Sequence, residues 1–132
     1  MNKLESKITF HEKKMVIPNG ADIVVRYYEE LMYVIFDKPY CLLYFFGNSR
    51  YRVEISLKYM MEKLPENTFI QCKRSSILNI NYFKEFKRRE RIVTMVDGSE
   101  IKLSKRNLPE FIWKLNNMPR ISPTCPNCGN FL

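Results

Sequence analysis

Apolar and polar residues alternate or cluster in short runs along most of this chain, which predicts strands before anything else. The first strand candidates are residues 14–17 and 23–26, separated by Pro18-Asn19-Gly20, whose Asn-Gly pair tolerates the positive φ of a tight hairpin. Residues 32–36 and 40–46 follow, with a turn at Asp37-Lys38-Pro39 between them. The run YCLLYFF (residues 40–46) is apolar on both faces, so its strand should be central or covered. In residues 51–55, Tyr51, Val53 and Ile55 alternate with Arg52 and Glu54, the period of a half-buried strand. Further strands are predicted at 68–72, 86–87, 92–96 and 101–103, with a hairpin turn at Asp97-Gly98. A tight polar-apolar stretch spans 75–79.

Two segments break this rhythm with helical spacing. Ser56 reads as an N-cap, Ile55 and Met60 as a hydrophobic staple, and Leu57, Met60, Met61 and Leu64 as one buried face ended by Pro65. The last helix is predicted from about 108 to 116. Asn107 is its expected N-cap, Glu110 completes a capping box, and Leu108, Phe111, Ile112 and Leu115 form its apolar face. Trp113 falls off that face. The fold class is therefore mostly β with two short helices. No strand–helix alternation suggests a parallel nucleotide-binding sheet.

Composition narrows the function. At 132 residues the chain can bury a sizeable core as one domain. Four glycines and no GxxxxGK or GxGxxG motif speak against a phosphate-cradling loop. No apolar run approaches the length that spans a bilayer, and the first fifteen residues lack the apolar stretch of a signal peptide, so a cytoplasmic location is expected, without membrane contact. The lone histidine, His11, lies in a polar lead-in (1–12) and offers no catalytic pairing. No enzymatic activity and no small-molecule substrate are expected.

Charge is the stronger signal. Residues 71–106 carry ten Lys or Arg against four Asp or Glu, whereas residues 1–70 carry ten against nine. Most of the net charge of +8 thus sits in about a quarter of the chain. Cationic side chains concentrated beside strands suit nucleic acid. Arg74 and Arg106 lie where strands give way to turns, and a guanidinium can read guanine in the major groove or clamp a phosphate. Ser75, Ser76 and Ser104 are candidates for phosphate oxygens, as are Lys84, Lys87, Arg88, Arg89, Lys102 and Lys105. A solvated, edge-protecting hairpin is the structural alternative for 87–91, and a salt bridge pinning a turn is the alternative for Arg74.

The segment FIQCKRSSILNINYFKEF, followed by IVTMVDGSEIKLSKRNLPEFIWKL, resembles the LytTR DNA-binding domain, as do LMYVIFDKPYCLLYFF and RYRVEISLKYMMEKLPENTF upstream. The resemblance covers residues 13–116. It implies a bacterial transcriptional regulator with an elongated antiparallel β fold that binds double-stranded DNA through loops, often at paired direct repeats. Carried onto this chain, it makes Arg74 and Arg106 base-reading candidates, with Lys73 where the family's triplet has histidine. It points to Lys38 and Tyr40, in the loop between early strands, as a third contact. The usual receiver or membrane module has no room in this chain, so control is expected through expression level, a partner or self-association.

Residues 117–132 read as an extended tail. Cys125 and Cys128 form half of a zinc knuckle with no second pair, so bound zinc would need a site shared between two chains. A redox pair and two free thiols are the other readings of this tail. Cys41 and Cys72 fall in apolar strands and are expected in the core. Two rivals to a DNA-binding regulator remain. One is a non-catalytic module docking an acidic protein. The other is a single-stranded RNA platform using Tyr40, Tyr44 and Tyr51, which packing under the first helix would explain more simply.

Overall fold

The computed structural model describes residues 7–117. Eleven strands form three antiparallel sheets. The central sheet has five strands: β4 (Leu31–Asp37), β5 (Tyr40–Phe45), β6 (Ser49–Val53), β7 (Phe69–Lys73) and β8 (Ser76–Asn79), in the order β6-β5-β4-β8-β7. A second sheet joins β1 (Thr9–Phe10), β2 (Lys14–Asn19) and β3 (Asp22–Tyr27). The third joins β9 (Phe83–Lys87), β10 (Ile92–Met95) and β11 (Glu100–Lys102).

The central sheet is apolar on both faces because it has a core on each side. On one side, Val34, Cys41, Leu43, Phe45 and Phe69 meet Met15 and Ile17 of β2, Leu57 and Met60 of the first helix, α1 (Leu57–Lys63), and Leu64 at its C-terminal cap. On the other, Tyr33, Ile70, Cys72 and Leu78 meet Val93, Met95, Ile101 and Phe111, the last from α2 (Leu108–Asn117). Phe111 is fully buried, and the rings of Phe83 and Phe86 meet it edge-on at 5.8 and 4.9 Å. Its truncation would cost about 3–5 kcal/mol.

Ser56 caps α1 as its sequence implies: its Oγ accepts the N–H of Tyr59 at 3.1 Å. The second helix begins differently. Ser104, not Asn107, is the capping residue, and Lys105–Asn107 form a 3-10 turn that runs into α2. Asn107 stands inside that turn, where its N–H donates to Ser104 Oγ. The first hairpin also departs from expectation. Its strand continues through Pro18 and Asn19, and the turn is Gly20-Ala21, with Gly20 at φ +66. The polar lead-in is not wholly loop, since Thr9 and Phe10 pair with Val16 and Met15. The short alternation of β1 gives no periodic signal.

Candidate nucleic-acid interface

Ladder register brings three separate segments to one end of the central sheet. Asp37 pairs with Tyr40, so Lys38-Pro39 is the tip of the β4–β5 hairpin. Lys73 pairs with Ser76, which makes Arg74-Ser75 the tip of the β7–β8 hairpin. The N–H of Phe36 donates to the carbonyl of Ser75 at 2.8 Å and holds these two tips side by side. The N–H of Ser104 donates to the carbonyl of Cys72 at 2.8 Å, which draws Lys105 and Arg106 to the same end.

The β9–β10 turn joins them. Leu103 N–H donates to Arg91 O at 2.8 Å, and Arg91 Nε returns a bond to Leu103 O at 3.2 Å. Arg91 closes this turn at φ 55 and is the one arginine of the 84–91 segment tied to backbone in this way. These bonds bring the turn that carries Arg88 and Arg89 next to Leu103, just before the 105–106 segment.

Lys38, Arg74, Arg88, Arg89, Lys105 and Arg106 are exposed, and none of their side chains has a hydrogen-bond or ion-pair partner among the described residues. The salt-bridge alternative for Arg74 is thus not adopted. Its flank borders a shallow depression whose rim includes Glu62, Glu66 and Glu110. Lys58 and Lys114 line the same depression, so its charge is mixed.

Other candidates do not join the group. Ser76 is fully buried, and its hydroxyl has no partner among the described residues, so it cannot meet a phosphate in this conformation. Its side chain alternates inward from the tip that exposes Arg74. Ser104 is committed to its cap: its Oγ accepts the Asn107 N–H at 3.2 Å and donates to Asn107 Oδ1. That cap holds the Lys105–Asn107 turn in which Arg106 sits. Lys102 donates to Glu90 O at 2.6 Å, bracing the β9–β10 turn. Lys87 lies 3.9 Å from Glu100, both exposed, a contact worth little. Lys84 sits three residues back along β9, about 10 Å from Lys87 at the strand rise, away from the turn. Lys73 and Ser75 are half-buried at the tip itself.

Tyr40 carries a neighbour that sequence reading passed over. The Arg52 guanidinium lies 4.3 Å from its ring centroid. Arg52 pairs with Leu42, two residues along β5 from Tyr40 and on the same face, so the contact needs strand register to be seen. Tyr44 stacks on Tyr33 at 4.6 Å, on the core side opposite α1. Of the three early tyrosines, Tyr51 alone adjoins the core that also holds the first helix. Tyr51 meets Phe45 and accepts a bond from Arg26. With one or both faces of each ring occupied, these tyrosines do not form an open stacking platform.

The LytTr DNA-binding domain family matches residues 22–116. The chain belongs to the LytTR family. LytTR domains are non-catalytic DNA-binding modules of bacterial transcriptional regulators. Among solved structures, the LytTr DNA-binding domain of a Bacillus cereus protein described as a methyl-accepting/DNA response regulator superposes with a TM-score of 0.70. It is 18% identical, and the match covers 80% of this chain and 98% of that one, a likeness of fold. No curated protein matches the sequence.

Among the described residues, no helix is long and apolar enough to cross a membrane, and no cluster of three or more His, Cys, Asp or Glu could hold a metal. Cys125 and Cys128 lie outside the described residues, and the zinc reading with them.

Proposed function

We propose that this LytTR domain binds duplex DNA sequence-specifically in the bacterial cytoplasm, at paired direct repeats, and so controls transcription. The observation that carries this reading is the convergence of the 38–40, 73–75, 88–91 and 105–106 segments, whose free cations share one end of the central sheet. In this reading Arg74 and Arg106 enter the major groove and read base edges by bidentate hydrogen bonds. Lys73 and Lys38 flank them, against base or phosphate. Arg88, Arg89, Lys105 and the Ser75 hydroxyl position the domain on phosphates.

The test is selection from a random duplex pool by the purified protein at two salt concentrations, followed by sequencing. A direct-repeat motif should emerge. Arg74→Ala and Arg106→Ala should each cost about 1–3 kcal/mol on the selected site and relax preference at particular positions. Lys105→Ala should weaken all sequences alike and lower the salt slope by about one. Motif-free binding that disappears at the higher salt would refute sequence reading and leave electrostatic attraction alone.

The rival reading, a module docking an acidic partner, predicts an exposed apolar patch as the dominant surface feature. Trp113 is 61% exposed but stands alone on α2. A larger apolar stripe does occur, on β3 of the second sheet.

A further inference from the structure

We propose that the free edge of β3 pairs antiparallel with β3 of a second copy of this chain. Ile23, Val25 and Tyr27 are 66%, 44% and 48% exposed, and they are half of the large apolar residues exposed among those described. All three alternate along one face of one strand. Val16 and Pro18, opposite Val25 and Ile23 on β2, extend the stripe. An apolar stripe on a free edge is the feature that natural sheets normally blunt with charge, proline or a cover.

The backbone phase shows which groups point away from β2. Tyr28 N–H donates to Lys13 O at 3.0 Å, in the same register as the rest of the β2–β3 ladder. Bonded pairs alternate along an antiparallel ladder, so Asp22, Val24 and Arg26 face β2. Ile23, Val25 and Tyr27 then turn their N–H and C=O groups outward from the sheet edge, where the Val25 carbonyl accepts Arg26 Nη1 at 3.2 Å and the Tyr27 N–H donates to Glu30 Oε1 at 3.2 Å, exposed side-chain bonds that a pairing strand would displace. Pro18 lies opposite Ile23, at a position that asks no N–H of it toward β3.

A second copy is the occupant because the strand is complementary to itself. Place a two-fold axis at Val24. Ile23 and Val25 of each copy then exchange backbone bonds, and their side chains lie directly opposite on the outer face. In the same register Asp22 of each copy faces Arg26 of the other, an opposite-charge pair at both ends. Such cross-strand pairs each contribute modestly, and together they select one register. An isologous contact of this kind closes on itself as a dimer.

The proposal does not rest on DNA binding. The Gly20 turn shares a depression with Tyr40 and Arg52, so the Asp22 end of β3 lies toward the cationic end. Antiparallel pairing points those ends in opposite directions. The pair is therefore distinct from two domains placed side by side on adjoining repeats.

Sedimentation velocity on the full chain, without DNA and under reducing conditions that exclude disulfides, tests it. A dimer that dissociates on dilution is expected. Val25→Lys should weaken it at least tenfold while leaving thermal unfolding of the monomer unchanged. Asp22→Arg and Arg26→Asp should each weaken the dimer, and the two together should restore it. A wild-type protein that stays monomeric at every concentration overturns the proposal, as does a Val25→Lys dimer of wild-type strength. If deletion of residues 118–132 turns a monomer into a dimer, the chain's own tail covers β3 instead, and the proposal fails.

Discussion

The amide of Ser104 donates to the carbonyl of Cys72 at 2.8 Å, and this single bond ties the entrance of the last helix to the strand that leads into Arg74. The Ser104 side chain caps the turn carrying Lys105 and Arg106. Two arginines more than thirty residues apart in sequence are thereby fixed relative to each other. Ser104→Ala keeps the backbone bond but removes the cap, at about 0.5–2 kcal/mol of stability. It should also weaken specific DNA binding, although Ser104 itself has no spare donor for phosphate. Chemical denaturation together with a binding titration checks this. Weaker binding in a variant that unfolds like wild type would place Ser104 on the DNA after all.

Lys114 is a lysine that the helix buries. Its Nζ donates to Glu66 O at 2.8 Å and to Phe69 O at 3.0 Å, joining α2 to the start of β7. Lys114→Met keeps the apolar stem and strips both carbonyls of their charged donor. We expect a loss of about 1–3 kcal/mol in urea unfolding, since buried acceptors left unpaired carry their desolvation cost. DNA affinity at a temperature where the variant remains folded should be unchanged, because Lys114 faces the core rather than the cationic end.

Much of this was legible in sequence, for local reasons. Ser56, with Leu57 and Met60 behind it, announces its helix because capping and burial both act within one turn. Arg74 and Arg106 announce themselves through the turn residues beside them. What escaped depends on register. The burial of Ser76, the Arg52–Tyr40 contact and the two-sided placement of Tyr44 and Tyr51 are set by which strand lies next to which, and alternation alone does not say this. The Asn107 cap failed for a subtler reason. Two hydroxyl or amide side chains three residues apart can each cap, and the 3-10 turn between them decides in favour of Ser104.

Cys41 and Cys72 are both fully buried, and burial pushes their thiols up to about 11 and about 12, with Lys73 pulling Cys72 partly back. Alkylation requires thiolate and access. Native protein at mildly alkaline pH should leave both unmodified, and unfolding in urea should expose both. Mass mapping of the labelled peptides separates them from Cys125 and Cys128. Labelling of Cys72 in the native state at the rate of a free thiol would mean that the Ser104–Cys72 junction opens, and with it the geometry of Arg106.

Tyr33 gives the fold an alkaline limit. Its hydroxyl donates to Asp97 Oδ2 at 2.9 Å and lies 2.8 Å from Ser99 Oγ, pinning the β10–β11 turn to the central sheet. Burial raises its pKa from 10.0 to about 12, with the Asp97 charge adding to the shift and the Ser99 hydroxyl opposing it. The folded value lies above the unfolded one, so folding holds the proton. The stabilisation is fully present below pH 10 and is lost as pH rises toward about 12. Tyr33→Phe should destabilise at neutral pH by about 0.5–1.5 kcal/mol per lost bond and flatten the alkaline slope. Denaturant unfolding measured from neutral to strongly alkaline pH checks both effects. Tyr28 is also raised by burial, so some slope should survive in the variant. An unaltered slope in Tyr33→Phe would assign the alkaline transition to Tyr28, with its bond to the His11 carbonyl, and to the buried thiols of Cys41 and Cys72.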